Sequence, residues 1–288
     1  MIYETVPISF GGKNNAKLTL FVPQLLKKGP VMRRPTVLIT PGGGYKAVSP
    51  REDECIAFQF LTYGYNAAVL SYSVKEDAQF PQPLCEEALA MAYLKENAQR
   101  YHIDPDRIFT CGFSAGAHLA LSLGVFWDTD WLSEKVGKDK ELLRPAAQIL
   151  CYPVVSTEPE LLHLGSTAAM LGREDTPQRR ELVSLEKHVS PNTPPTFLWA
   201  TLKDRVVPCE NSLVLASALQ KQGVPVEFHL YGWGGHGLSV ANRITQVRNE
   251  QKLPIKSHIN PHVATWLPLC REWLEEIVGV EILPPEED

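Results

Sequence analysis

The hydrophobic positions of this 288-residue chain change rhythm about 35 residues in. Upstream, residues 3–10 and 18–22 alternate apolar and polar, and Gly11-Gly12-Lys13-Asn14-Asn15 between them supplies turn chemistry. That pattern predicts an antiparallel hairpin. Downstream come short, continuously apolar runs at 36–40, 67–71, 107–111, 147–152, 196–201 and 226–231. Longer helical patterns separate them, at about 51–63, 82–100, 115–125, 209–222 and 261–278; in the second, Leu84, Ala88, Met91, Ala92 and Leu94 recur roughly at helical spacing. Continuous apolar strands bounded by helices indicate a mostly parallel sheet of about eight strands with helices on both faces. Residues 102–107 contain Asp104-Pro105-Asp106 and read as a Pro-directed turn feeding the next strand. The stretches 127–144, 156–195 and 238–260 exceed what strand–helix connections need, so they are expected to shape a pocket.

Composition adds constraints. The chain is 44% hydrophobic and 21% charged, ordinary for a globular protein, and 1–288 reads as one α/β domain with insertions. The net charge is −5; the most basic stretch, Lys27-Lys28 and Arg33-Arg34, is interrupted by Gly29, Pro30, Val31 and Met32. It reads as a solvated loop between strands, and no nucleic-acid partner is expected. Six scattered cysteines without paired spacing, no leader-like N-terminus and no apolar run of about 18 residues predict a cytoplasmic protein with reduced thiols and no membrane partner. Homo-oligomerisation is left open.

Candidate chemistry centres on Gly112-Phe113-Ser114-Ala115-Gly116. The pentapeptide alone is a common string, but here a strand precedes it and an apolar helix follows. That is the setting of a nucleophile elbow, in which any side chain two residues either side of the serine would collide with the neighbouring strand and helix. A serine hydroxyl near neutral pH needs a base, and the base an orienting acid, in chain order Ser, acid, His. His236, among glycines after the last strand, and Asp204, after the strand at 196–201, fill that order; Glu210 is the weaker rival acid. Oxyanion donors are expected from the amide of Ala115 and from Gly43 and Gly44 in Pro41-Gly42-Gly43-Gly44-Tyr45; no Gly-Lys-Ser/Thr follows, which excludes a P-loop. His118 is expected to pack or cap on its helix. Arg51 and Glu52 have two readings, bracing the oxyanion loop or complementing a helix dipole. Among the aromatics Tyr45, Tyr72, Trp127, Trp131 and Trp233, a pocket wall is expected; Tyr45 and Trp233, with Arg51, are the candidate substrate contacts.

Taken together, these residues resemble the esterase/lipase branch of the α/β-hydrolase superfamily, and within it the acetyl esterases of the acetylxylan-esterase and feruloyl-esterase-like group. The likeness runs nearly the whole chain. It is carried by Pro41 to Tyr45 with Ser49, Arg51 and Glu52, by Ser71-Tyr72-Ser73-Val74, by Gly112 to Leu119, by Tyr152-Pro153-Val154, by Thr193 to Phe197, and by Asp204, Val207-Pro208, Asn211 and His236-Gly237-Leu238 with Asn242. The resemblance implies a Ser114–His236–Asp204 triad, short-chain acyl esters as substrates (often acetylated sugars), and no metal or cofactor. Two departures stand out: Pro41 occupies a position where related lipases carry a loop-bracing His, and Ala117 replaces a third glycine. The expected function is a serine carboxylesterase. An amidase or peptidase of formamidase or prolyl-peptidase kind and a non-catalytic binding module are the alternatives.

Overall fold

A computed structural model describes residues 1–27, 29 and 33–279. Lys28, Pro30, Val31 and Met32 of the basic stretch lie outside the described residues. Strands β1 (Ile2–Phe10) and β2 (Lys13–Val22) form the expected hairpin. Its turn is shorter than the sequence indicated, because Gly11 and Gly12 both take positive φ (61° and 76°). Two consecutive left-handed residues make a two-residue turn whose twist matches the strands, so β2 starts at Lys13.

β2 also pairs antiparallel with β4 (Asn66–Ser71). The parallel part of the sheet holds β4, β3 (Arg34–Thr40), β5 (Ile103–Phe113), β6 (Ala147–Cys151), β7 (Thr196–Thr201) and β8 (Val226–Tyr231). The full order is β1-β2-β4-β3-β5-β6-β7-β8, the mostly parallel eight-stranded sheet expected. β5 extends beyond the expected 107–111. The turn chemistry read at 102–107 is present inside it: the Asp106 amide donates to Asp104 Oδ1 (3.2 Å), and the register to β3 jumps between Arg34↔Ile103 and Thr36↔Ile108. Pairing to β3 on both sides of the bulge makes one strand of what reads locally as a turn.

Alternation along the strands sends side chains to two cores. Leu38, Ile108, Leu150 and Leu198 pack with helices α2 (Gln82–Glu96), α3 (Ala115–Phe126) and α8 (Glu210–Lys221). Val37, Ile39, Phe109, Ile149 and Trp199 pack with α1 (Glu54–Thr62) and α9 (Trp266–Val278) on the other face. Trp266 is wholly buried there, stacked on Trp199 at 5.5 Å, and its replacement by alanine should destabilise the fold by about 3–5 kcal/mol. All twelve residues of α3 are buried, which explains a helix apolar on every side.

The insertion at 127–144 forms α4 (Asp130–Val136) and α5 (Lys140–Leu143); that at 156–195 carries α6 (Leu164–Leu171) and α7 (Pro177–Leu182). All six cysteines are free, and five are buried. Among the described residues no helix is long and apolar enough to cross a membrane. Because β3, β5, β7 and β8 run parallel, the loops carrying Gly43, Ser114, Asp204 and His236 leave the sheet at one edge, where ligands bind in open α/β sheets.

Candidate active site

Ser114 joins β5 to α3 with φ 55° and ψ −116°, a backbone conformation that costs a non-glycine residue on the order of 1–3 kcal/mol. Neighbours hold it there. Its amide donates to the Cys151 carbonyl (2.9 Å), and its own carbonyl accepts from Ala117, His118 and Val154. The glycine requirement is steric: a Cβ on Gly116 would lie 2.0 Å from the Thr40 carbonyl oxygen. Ala117, the departure from a third glycine, is accommodated fully buried.

His236 Nε2 lies 2.8 Å from Ser114 Oγ, and its Nδ1 lies 2.6 Å from Asp204 Oδ2. The Asp204 side chain is 1% exposed, and its Oδ1 also accepts from the amides of Val206 (2.8 Å) and Val207 (3.0 Å). A carboxylate offers only acceptors, so Nδ1 carries the ring proton and Nε2 is free to accept from the serine. Glu210, the rival acid, is exposed and its carboxylate meets only the Cys209 thiol (3.6 Å). It opens helix α8, and the carboxylate on His236 is that of Asp204.

The glycine loop after β3 is open to the same edge. Gly43 takes φ 129°, and a Cβ there would lie 2.0 Å from the Ala47 carbonyl oxygen. The amides of Gly43, Gly44 and Ala115 make no hydrogen bond to another described residue. Pro41 does not leave the loop unsupported: the Tyr72 hydroxyl donates to the Pro41 carbonyl (2.7 Å). Glu52 settles one of the two readings left open for it. α1 begins at Glu54, so Glu52 lies outside the helix; it is buried and accepts from the Gly42 amide (2.9 Å) and the Tyr152 hydroxyl (2.6 Å). The Tyr152 oxygen accepts in turn from the Ser239 amide (3.0 Å), and the Tyr152 ring packs edge-on against His236 at 5.0 Å. One carboxylate thus ties the glycine loop to the segment carrying the histidine.

Gly43, Gly44, Ser114 and His236 line one cleft of about 390 Å³, within the size range of small-molecule sites. Arg51 also lines it, its Nε donating to the Thr245 carbonyl (2.7 Å). Tyr45 does not. Its positive φ of 59° turns the ring inward, where it is 2% exposed, packs on Tyr72 and donates to His118 Nδ1 (3.0 Å). His118 is fully buried, with Nε2 on the Val183 carbonyl (3.0 Å), and burial lowers its pKa to about 4. Trp233 is also outside the cleft, 67% exposed beneath the Lys203 ammonium. Nor do the other aromatics wall it: Tyr72 and Trp127 are buried, and Trp131 lines a separate groove with Phe80.

Sequence reasoning passed over Lys46 and His163, which both line the cleft. His163 caps α6: its Nδ1 accepts from the Ser166 amide (3.3 Å) and lies 2.7 Å from Ser166 Oγ. An accepting Nδ1 leaves the proton on Nε2. Burial first, then the charges of His236 and Lys46, lower the His163 pKa, with Asp204 opposing. The one local signal was the His163-x-x-Ser166 spacing ahead of an apolar helix.

Comparison with known proteins agrees with this architecture. A family model described as BD-FAE matches residues 21–219, a stretch that includes Gly43, Ser114 and Asp204 and stops before His236. Endo-1,4-beta-xylanase B of Butyrivibrio fibrisolvens is 38% identical over 215 residues, 73% of this chain and 33% of that protein. Acetylxylan esterase of Xylanibacter ruminicola is 27% identical over 239 residues, 81% of this chain and 45% of that protein. The chain therefore spans between a third and a half of the length of these two relatives. The crystal structure of an acetyl ester-xyloside bifunctional hydrolase from Caldicellulosiruptor lactoaceticus superimposes with a TM-score of 0.80 at 31% identity, covering 96% of this chain and 97% of that one. The chain belongs to the BD-FAE family, in the esterase branch of the α/β-hydrolase superfamily.

Proposed function

We propose that this protein is a serine carboxylesterase removing acetyl or another short acyl group from an acylated carbohydrate, such as an acetylated xylo-oligosaccharide. The observation carrying the reading is the continuous hydrogen-bonded line from Ser114 Oγ through His236 to Asp204. Ser114 Oγ attacks the ester carbonyl while His236 Nε2 takes its proton. The amides of Ala115, Gly43 and Gly44 receive the developing oxyanion. Collapse breaks the bond to the alcohol, which leaves with the proton held on Nε2. Water then repeats the sequence on the acyl-enzyme, releasing the carboxylic acid and restoring Ser114. Asp204 holds the imidazole in the required tautomer and stabilises its cation. The scheme uses only this chain's residues, and the insertion at 156–195 contributes His163 and Gly165 to the substrate cleft.

The choice of acylated carbohydrate rests on the names of the relatives, an acetylxylan esterase and an acetyl ester-xyloside hydrolase. The six free thiols support a reducing, cytoplasmic setting. The test is hydrolysis of p-nitrophenyl acetate and acetylated xylo-oligosaccharides by wild type and Ser114→Ala. A loss in kcat on the order of 10⁴-fold is expected. Normal turnover by folded Ser114→Ala would overturn the reading.

A further inference from the structure

The chain carries 33 acidic against 28 basic residues, yet the uncommitted charges around the cleft are positive. Glu52, the carboxylate lining it, spends its two oxygens on Gly42 and Tyr152. Arg51 uses Nε on Thr245, while its Nη2 is shut off from solvent without any hydrogen-bond partner. Lys46 lines the cleft and also a second groove of about 540 Å³, so the two adjoin at its side chain. That groove adds Lys75, Arg173 and Gln79, with Glu76 its one acid. Several surface cations elsewhere are held in ion pairs: Arg100 with Glu4, Lys138 with Glu96, Arg180 with Asp175, Lys187 with Glu158 and Glu181. Among the described residues Lys46, Lys75 and Arg173 enter no ion pair.

We infer that the ester is borne on an oligosaccharide carrying carboxylate groups, whose chain runs from Ser114 past Lys46 into the groove of Lys75 and Arg173. The inference deepens the esterase reading and rests on it. A line of unpaired cations beside a reaction centre raises the local concentration of anions and fixes their register. At about 540 Å³ the groove has more room than a lone acyl group fills, which favours an oligomer. Gln79 suits sugar hydroxyls, and no Phe, Tyr or Trp lines the groove, so it lacks the stacking faces that hold single-stranded nucleic acid. Each solvent-facing ion pair contributes modestly, and two or three together amount to about a tenfold preference.

The experiment compares kcat/KM for an acetylated xylo-oligosaccharide bearing glucuronic acid with its carboxyl-reduced twin, in which a neutral hydroxymethyl group replaces the carboxylate. The acidic substrate should be preferred about tenfold, through KM, and the preference should fade as salt rises from 0.05 to 0.5 M (roughly one Debye length at 0.1 M is 10 Å). Lys46→Gln should shrink the preference, and Lys75→Glu with Arg173→Glu should abolish or invert it; all three positions are solvent-exposed, so the variants are expected to fold. Equal kcat/KM for the twins, in a wild type that hydrolyses p-nitrophenyl acetate, would overturn the inference and leave the esterase reading standing. A folded wild type inactive on p-nitrophenyl acetate and on both twins would overturn the two together.

Discussion

Glu52→Gln isolates the link between the glycine loop and the histidine segment. The substitution keeps the shape of the side chain but removes its charge and turns one acceptor into a donor. Two donors face the group, the Gly42 amide and the Tyr152 hydroxyl, and glutamine has one oxygen for them. The other donor then meets an NH₂. If the Tyr152 oxygen takes the new NH₂ beside the Ser239 amide, its own proton loses the acceptor that Glu52 supplied. A hydrogen bond to a charged group in a buried position contributes about 1.5–3 kcal/mol, so the loss is about 2 kcal/mol. Expressed wholly as misplacement of Gly43 and Gly44 at the transition state, that is about 30-fold in kcat. Expressed in the folded state it lowers Tm by about 3 °C for a chain of 288 residues. Steady-state kinetics on p-nitrophenyl acetate together with a thermal melt separate the two. A positioning residue should lower kcat with KM nearly unchanged. A melt shifted as stated with kcat within twofold of wild type would make Glu52 a structural group only, and no change in either would refute the argument.

Other substitutions probe the remaining parts. Asp204→Asn should lower kcat on the order of 10⁴-fold with the fold intact, since it presents the wrong partner to His236 Nδ1; the pH–rate profile and kcat check it. Gly43→Ala, with its Cβ driven onto the Ala47 carbonyl at a φ of 129°, should lower kcat by at least about 10²-fold and lower the melting temperature too, as kinetics and a thermal melt will show. Glu87 of α2 is fully buried, neither carboxyl oxygen has a partner, and burial raises its pKa well above the ordinary carboxylate value. A raised folded pKa contributes stability at low pH that is lost as pH climbs, by about 1.4 kcal/mol for each unit between the unfolded and folded values. Glu87→Gln, which cannot ionise, should therefore melt higher than wild type at pH 8 and show no such gain at pH 4; a difference independent of pH would contradict the assignment.

The parts legible in the sequence are those whose neighbours in space are neighbours in chain or follow from strand order. The elbow is local: strand, serine and helix occupy consecutive residues, so the setting of Ser114 could be read directly. Asp204 and His236 follow because each leaves the C-terminal end of a parallel strand. Glu52 was half legible, since its distance from the helix start depends on where α1 begins. Tyr45 was misread because nothing in its sequence marks the positive φ that swings it into the core. Lys46 and His163 were invisible for a different reason. His163 sits in a polar insertion without periodicity, and only tertiary packing of α6 brings it beside Ser114. Asp104-Pro105-Asp106 makes the same point for the fold: local turn chemistry was correct, and pairing with β3 overrode it.

The central claim is that Ser114 is the nucleophile, activated by His236. Reaction with a fluorophosphonate followed by intact-mass and peptide mapping tests it without any assumption about the natural ester. One adduct per chain, located on Ser114, absent from Ser114→Ala and strongly slowed in His236→Ala, is the predicted result. A folded wild-type protein that stays unlabelled, or carries the adduct on another residue, would contradict the account.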